Sequence, residues 1–224
     1  MIKGIVFDLD DTLYPSQEYL ESGFRAVARY AGEKYGIDPE ESYAYMRILY
    51  SRYGEREVLG RTVCYFSLEP NAIIEFVSAF RDHTPSLALF PGYRKVLQNL
   101  GDFFTLGLLV DGDPEVQARK IKVLRIQRQF KNVIYVGKYN EAKWKPNPFC
   151  FTLMARVLGH HPREMVYVGD NPLTDFLGAK KAGYYTLRVL TGEFKDKNVP
   201  MEFEAHRRIK DISEIQDYIN EYFS

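Results

Sequence analysis

The sequence predicts an α/β protein: a doubly wound, mainly parallel, five-stranded (Rossmann-like) core sheet with an inserted helical cap domain. Five short apolar runs are rich in β-branched and aromatic residues and do not alternate with polar residues, which is typical of strands buried on both faces. The predicted strands are Ile2–Phe7, Phe103–Val110, Val133–Val136, Met165–Val168 and Tyr184–Leu190. Helical patterns separate the later runs, and this alternation favours a parallel sheet.

The predicted helices of the core have recognisable starts and ends. They are Pro114–Leu124, Pro148–Leu158, Thr174–Ala182 and a last amphipathic helix from Asp211. Asp113 precedes the first of them and is well placed to cap its N-terminus. Gly159 and Gly183 follow the second and third, where a glycine commonly ends a helix.

The connection between the first two strands is far longer than an ordinary crossover. Apolar residues recur at helical spacing from Leu20 to Tyr35, again over Glu40–Arg52, and a third time after Pro70. We therefore predict that residues 15–88 form an inserted α-helical cap. Residues 1–14 and 89–224 would together form the α/β core.

The composition argues against several classes of partner. Thirty basic residues balance thirty acidic ones, so there is no overall positive field for binding nucleic acid or a membrane. The chain begins with a strand-like run rather than a signal-peptide pattern, and no apolar stretch is long enough to span a membrane, so we expect a cytoplasmic protein. Cys64 and Cys150 are expected to be buried free thiols. A monomer and a homodimer are both compatible with the sequence.

Polar side chains follow four of the predicted strands. The strand-end sets are Asp8, Asp10, Asp11 and Thr12; Asp111, Gly112 and Asp113; Lys143 and Lys145; and Gly169, Asp170, Asn171 and Asp175. Ligands of open α/β sheets bind beyond the carboxyl ends of the strands, so we expect these loops to meet at one edge.

Several carboxylates and a lysine at one edge suit phosphoryl chemistry. Carboxylates at close range repel one another unless a cation or protons offset their charge. Oxygen ligands of this kind suit Mg²⁺, which also accepts substrate phosphate, and a lysine supplies a charge for a phosphoryl oxygen. A carboxylate that faces the phosphoryl group can attack it, and a second carboxyl can transfer protons. The pattern predicts hydrolysis through an aspartyl-phosphate.

Three motifs of the sequence resemble those of the haloacid-dehalogenase-like (HAD) superfamily of phosphatases. Val6–Leu13 resembles its first motif, a strand followed by D-x-D-x-T. Lys145–Pro148, with Phe151 beyond, is similar to its third motif, K-P-x-P-x-x-F. Val168–Asp175 is similar to its fourth, G-D-x-x-x-x-D. The order and spacing of the motifs fit, and the insertion is similar to the helical cap of the family's first cap class.

The resemblance implies a role for each acidic residue. Asp8 would be the nucleophile, and Asp10 would be the general acid/base. Mg²⁺ would be held by the carboxylates of Asp8 and Asp170 and by the backbone carbonyl of Asp10. Asp175 would be an outer ligand or would orient a metal-bound water. Lys145 would neutralise the nucleophile and the phosphoryl oxygens. Asp10 also argues against the dehalogenase branch, whose members lack this second acid.

The second motif departs from the family pattern. Val110 stands where a Thr or Ser hydroxyl normally binds the phosphoryl group, and Asp111 and Gly112 follow it. The expected phosphate-binding residues are therefore Val110, Asp111, Gly112 and Lys145, with backbone amides at Asp111 and Gly112. Loss of one hydrogen bond to a charged group costs roughly 1.5–3 kcal/mol, or about ten- to a hundred-fold, so we expect a slower enzyme.

Some of these residues also have a simpler, structural interpretation. Asp175 could instead cap the following helix. We interpret Asp11 and Asp113 as structural residues, Lys143 as a residue outside the site, and the four histidines as surface residues.

The favoured function is hydrolysis of a small phosphorylated metabolite, such as a nucleotide, a sugar phosphate or phosphoglycolate. The first-loop residues resemble the pyrimidine 5′-nucleotidase-like branch. The alternatives are a phosphomutase or phosphotransferase, and a weakly active or non-catalytic phosphate-binding regulator.

Overall fold

Two compact units make up the computed structural model, which describes residues 1–223. One unit contains Met1–Ser16 and the chain from Leu87 onward, and the other contains Gln17–Ser86. The second unit begins and ends two residues inside the predicted cap boundaries of 15 and 88. It contains four helices: α1 (Ser16–Tyr35), α2 (Pro39–Tyr53), α3 (Val58–Tyr65) and α4 (Ala72–Asp82), with the first residue of α1 lying in the core unit.

The core is built on one parallel sheet. Its strands are β1 (Gly4–Phe7), β2 (Thr105–Val110), β3 (Asn132–Tyr135), β4 (Met165–Gly169), β5 (Tyr185–Val189) and β6 (Arg207–Ile209). Their order is β3-β2-β1-β4-β5-β6, so the chain winds outward in both directions from β1. The predicted α/β class and doubly wound parallel sheet are confirmed. In the register, Phe7 pairs with Leu108 and Val168, which brings the loops after β1, β2 and β4 to the same edge.

The sheet has one strand more than the five predicted. β6 has only three residues, and its two arginines are exposed while Ile209 is buried. This strand lies at the sheet edge and pairs with β5 alone, so it needs no continuous apolar run. An apolar-run criterion therefore misses it.

The helices of the core are α5 (Tyr93–Phe103), α6 (Pro114–Leu124), α7 (Phe149–Leu158), α8 (Phe176–Ala182) and α9 (Ile215–Phe223). α6 has the predicted bounds. Asp113 caps α6 by accepting hydrogen bonds from the backbone N–H groups of Glu115 and Val116, at 2.9 and 3.2 Å. The start of the second predicted strand was wrong, because Phe103 is the last residue of α5 and is 74% exposed. α3 and α5 were not predicted.

The packing of α7 against the sheet holds the preceding loop, which carries Lys145, in place. Phe151 and Met154 of α7 are fully buried against Leu109 of β2 and Tyr167 of β4. The rings of Phe151 and Tyr167 meet edge to face, with centroids 4.9 Å apart. Each such buried side chain contributes roughly 1.5–3 kcal/mol. The motif phenylalanine is thus part of the core, and it fixes α7 and the loop that precedes it.

Within residues 1–223, the structure contains no α-helix with the length and hydrophobicity that a membrane-spanning segment needs. Both cysteines are free, but only Cys150 is buried. The expectation for Cys64 was wrong, because α3 presents it on an exposed face.

Candidate active site

Three carboxylates converge at the carboxyl end of the sheet. Asp8 follows β1 and Asp170 follows β4, while Asp175 lies one turn further along, just before α8. The backbone N–H of Asp8 donates to the carbonyl of Val168 at 2.8 Å, which fixes the two loops side by side. One oxygen from each of the three buried carboxylates lies within 4.8 Å of the others. Loops remote in the sequence therefore form a single acidic cluster.

Thr12 connects the first and fourth loops directly. Its buried hydroxyl oxygen is 3.1 Å from Oδ1 of Asp170 and 3.4 Å from Oδ2 of Asp8. A hydroxyl has one proton, so it donates to one of these carboxylates at a time. The threonine of the first motif thus holds Asp8 and Asp170 close together without neutralising either charge.

Lys145 is the buried counter-charge of this cluster. Its Nζ lies 2.7 Å from Asp8, 2.9 Å from Asp175 and 3.2 Å from Asp111, and its side chain is 2% exposed. Burial by itself would lower the pKa of Lys145, but the three surrounding carboxylates raise the pKa well above its ordinary value. Lys145 is therefore a permanent cation.

One ammonium does not balance the acids around it. Burial raises the pKa of Asp8 well above its ordinary value despite the adjacent Lys145, and the charge of Asp175 raises it further. Burial, followed by repulsion from Asp175 and Asp8, raises the pKa of Asp170 to about 9. Burial also raises the pKa of Asp111. Such a cluster binds either protons or a cation, and its hard oxygen ligands fit a divalent ion such as Mg²⁺.

This excess charge makes the stability of the metal-free protein depend on pH. The pKa of Asp170 is higher in the folded protein than its ordinary value of 3.8, so the folded state holds this proton more tightly. Its contribution to stability is present below about pH 4 and is lost as pH rises toward 9, by at most about 1.4 kcal/mol per pH unit. We expect Asp170→Asn, which mimics the protonated form, to gain stability relative to wild type over this range.

Urea unfolding in EDTA at pH 5 to 8 measures this difference. Asp217→Asn, at an exposed position of α9, is the matched control and should show no such trend. A difference between Asp170→Asn and wild type that stays constant with pH would contradict the repulsion described above.

Asp175 does not cap α8 with its side chain. Its Oδ1 accepts hydrogen bonds from the Tyr167 hydroxyl and Lys145, at 3.0 and 2.9 Å, and its Oδ2 accepts from the N–H of Asn171 at 3.0 Å. A Cβ at Gly169 would lie 2.3 Å from Oδ2 of Asp175, so the glycine of the fourth motif makes room for this carboxylate. The alternative of a simple capping residue is wrong. The hydroxyl of Tyr167, which was not predicted, accepts a hydrogen bond from Lys145 at 3.0 Å and donates one to Asp175.

Asp10 lies in a separate polar cluster. Lys120 donates to its Oδ1 at 2.7 Å, the Tyr14 hydroxyl donates to the same oxygen, and the Gln117 amide donates to Oδ2 at 3.2 Å. Burial would raise the pKa of Asp10, but the charge of Lys120 and these hydrogen bonds together lower the pKa. Lys120 and Gln117 were not predicted. Their only sequence signal is two long polar residues three positions apart on the buried face of α6.

Asp11 and Lys143 lie outside the acidic cluster. Asp11 adopts a positive φ of 54° and accepts hydrogen bonds from the backbone N–H and hydroxyl of Ser16, at 2.9 and 2.7 Å. It therefore supports the start of α1. Lys143 is exposed, with its Nζ 4.4 Å from the centre of the Phe149 ring, and makes no contact with the acids.

The second motif lies beside the cluster without a side-chain hydroxyl. Val110 ends β2 and is 1% exposed, Asp111 pairs with Lys145, and Gly112 has a φ of +91°, which favours glycine. If a hydroxyl at position 110 reaches the phosphoryl group, as the family pattern implies, Val110→Thr should raise phosphatase kcat/KM about tenfold.

Steady-state kinetics with an aryl phosphate test this prediction. Val110→Ala, which shortens the side chain without adding a donor, is the matched control and should not raise the rate. Unchanged or lowered turnover in Val110→Thr would contradict this account of the second motif.

A doubly wound parallel sheet that gathers buried acids and a buried lysine beyond its carboxyl ends is typical of α/β enzymes that bind a ligand at this edge. Residues 5–189 match the family model of haloacid dehalogenase-like hydrolases, and the chain belongs to this family.

Similar proteins with known names include phosphatases of the same family. A "glyceraldehyde 3-phosphate phosphatase" of Methanopyrus kandleri is 33% identical, over 95% of this chain and 97% of the relative. A protein of the same name from Methanocaldococcus jannaschii is 32% identical, over 88% of each chain. The HAD-hydrolase YfnB from Bacillus subtilis, in a structure bound to magnesium, shares the fold with a TM-score of 0.69 at 16% identity, covering 98% and 99% of the two chains. The chain is a HAD-like phosphatase, a phosphoric monoester hydrolase.

Proposed function

We propose that the chain is a Mg²⁺-dependent phosphohydrolase that cleaves a small-molecule phosphate monoester through an aspartyl-phosphate on Asp8. The observation that carries this proposal is the cluster itself. Oδ1 of Asp8 is 2.7 Å from Nζ of Lys145. One carboxylate oxygen from each of Asp8, Asp170 and Asp175 lies within 4.8 Å of the other two. A nucleophile, a fixed cation and a set of hard oxygen ligands therefore lie at one place.

The metal-binding residues in this proposal are Asp8 and Asp170, together with the backbone carbonyl of Asp10. Asp175 acts from outside this set, because both of its oxygens already accept hydrogen bonds from protein groups. When bound, Mg²⁺ supplies positive charge that offsets the repulsion among the acids and neutralises phosphoryl oxygens.

The reaction has two steps. In the first, a carboxylate oxygen of Asp8 attacks phosphorus, the bond from phosphorus to the leaving oxygen breaks, and Asp10 donates a proton to that oxygen. In the second, water attacks phosphorus, Asp10 accepts a proton from the water, the bond from phosphorus to the Asp8 oxygen breaks, and inorganic phosphate leaves. Lys145 stabilises the negative phosphoryl oxygens in both steps. The lowered pKa of Asp10 favours the carboxylate form needed in the second step, so the first step depends on the smaller protonated fraction of Asp10.

For the substrate we propose a small phosphorylated metabolite, with glyceraldehyde 3-phosphate as the first candidate. The support is the printed name of two relatives that align with most of this chain. Within this proposal, the helical unit Gln17–Ser86 acts as the cap that selects the substrate and excludes water. A cytoplasmic location, where such metabolites occur, completes the proposal.

A panel of phosphate esters tests the function. Glyceraldehyde 3-phosphate, phosphoglycolate, uridine 5′-monophosphate and glucose 6-phosphate are incubated with the enzyme in Mg²⁺ or in EDTA, and released phosphate is measured. We expect release only with Mg²⁺ and the highest kcat/KM for glyceraldehyde 3-phosphate. An isomerised phosphate ester without free phosphate would indicate a phosphomutase. Binding of the esters without turnover would indicate a regulator.

A further inference from the structure

We propose that Lys120 is a positioning residue for leaving-group protonation, because it holds the Asp10 carboxylate in place through an ion pair from helix α6. This inference rests on the proposed function, in which Asp10 is the acid/base. It adds a residue outside the motifs, in the helix that follows the second strand. Two acids of the first loop then each pair with a buried lysine: Asp8 with Lys145 and Asp10 with Lys120.

The ion pair is close, and its lysine is largely removed from solvent. Nζ of Lys120 is 2.7 Å from Oδ1 of Asp10, and the side chains are 7% and 34% exposed. A lysine is almost never buried to this extent without a charged partner, because loss of hydration is expensive. The burial of Lys120 therefore points to a fixed contact rather than to a mobile surface side chain.

Gln117 makes the contact directional. It lies one helical turn before Lys120, and its amide donates to the other oxygen of Asp10 at 3.2 Å. Two donors from one helix on two different oxygens restrain both the position and the plane of the carboxylate. Oδ1 also accepts from the Tyr14 hydroxyl.

Helix α6 is itself a firm support for these two side chains. Asp113 caps its first turn, and Ile121 and Leu124 are buried on its inner face. The donors are therefore held at the register that α6 imposes. A carboxyl group that must protonate a leaving oxygen gains from such restraint, because a misplacement of about 1 Å can cost about a hundred-fold in rate.

The leaving group provides a readout that a purely structural role would not change. An alkyl phosphate has a strongly basic leaving oxygen and needs protonation as the bond breaks, whereas p-nitrophenyl phosphate has a good leaving group and does not. Because kcat/KM reports the steps up to the transition state from free enzyme and substrate, the ratio of kcat/KM for the two esters measures leaving-group protonation.

The experiment compares wild type, Lys120→Met and Lys120→Arg with glyceraldehyde 3-phosphate and p-nitrophenyl phosphate in Mg²⁺. Lys122→Met, an exposed lysine of the same helix, is the matched control. We expect Lys120→Met to lower the alkyl-to-aryl ratio about 10- to 100-fold and Lys120→Arg to restore most of it. Lys122→Met should leave the ratio unchanged. Circular dichroism and thermal unfolding establish that each variant is folded.

Equal losses with both esters, or an unchanged ratio in folded Lys120→Met, would overturn the inference. If Lys120→Met does not fold, Gln117→Leu replaces it, since removing the second donor must also lower the ratio; an unchanged ratio there overturns the inference as well. Wild type that hydrolyses neither ester would overturn the proposed function and this inference together. Wild type that hydrolyses both, with equal losses in the variants, would overturn the inference alone.

Discussion

Asp8→Asn is expected to lower phosphate release by at least about 10⁴-fold, because the amide cannot attack phosphorus and no aspartyl-phosphate can form. The neighbouring groups cannot take over this role. Asp170 shares the metal-binding cluster in our proposal, and both oxygens of Asp175 are engaged by Lys145, Tyr167 and Asn171. The loss should therefore appear in kcat, with every phosphate ester tested.

Acid-quenched mass spectrometry measures the covalent step directly. Wild type mixed with substrate should carry one phosphoryl group on the peptide that contains Asp8, and Asp8→Asn should carry none. Asp102→Asn, at an exposed position of α5, is the matched control and should retain full activity. A phosphoryl group on a different residue, or turnover within tenfold of wild type in Asp8→Asn, would contradict the mechanism.

Lys145→Met is expected to cost both activity and stability. Removal of the ammonium leaves three carboxylates, those of Asp8, Asp175 and Asp111, without their shared cation. Breaking a buried ion pair from one side costs about 3–5 kcal/mol. Loss of the charge that stabilises the phosphoryl oxygens should in addition lower kcat about 10²- to 10³-fold.

Thermal unfolding with and without Mg²⁺ separates this effect from a general packing defect. Mg²⁺ should raise the Tm of Lys145→Met more than that of wild type, because the ion replaces part of the missing positive charge. Lys143→Met is the matched control, since Lys143 is an exposed neighbour in the same loop. A Lys145→Met protein as stable and active as Lys143→Met would contradict the role of Lys145.

Much of the fold could be predicted because its signals are local. β1 is buried throughout, with Ile5, Val6 and Phe7 at 0% exposure, and such a strand shows as an uninterrupted apolar run. Helix α6 begins at the predicted residue because a capping aspartate and a proline mark its start within the chain. β6 was missed because an exposed three-residue edge strand carries no such run.

By itself, the sequence determined the doubly wound class and the residues that gather beyond the strands: Asp8, Asp10, Lys145, Asp170 and Asp175. Each follows a strand, and the carboxyl ends of parallel strands share one edge, so strand position alone predicts their proximity.

Only the tertiary structure decided which partners these residues have. Lys120 and Asp10 are 110 residues apart in the chain, and Tyr167 donates from inside a buried strand to Asp175, so neither contact leaves a local pattern. The structure also showed that Asp175 binds Lys145 instead of capping α8 with its side chain. The physical reason is that residue spacing records burial and turn geometry along one segment, whereas an ion pair depends on how separate segments pack.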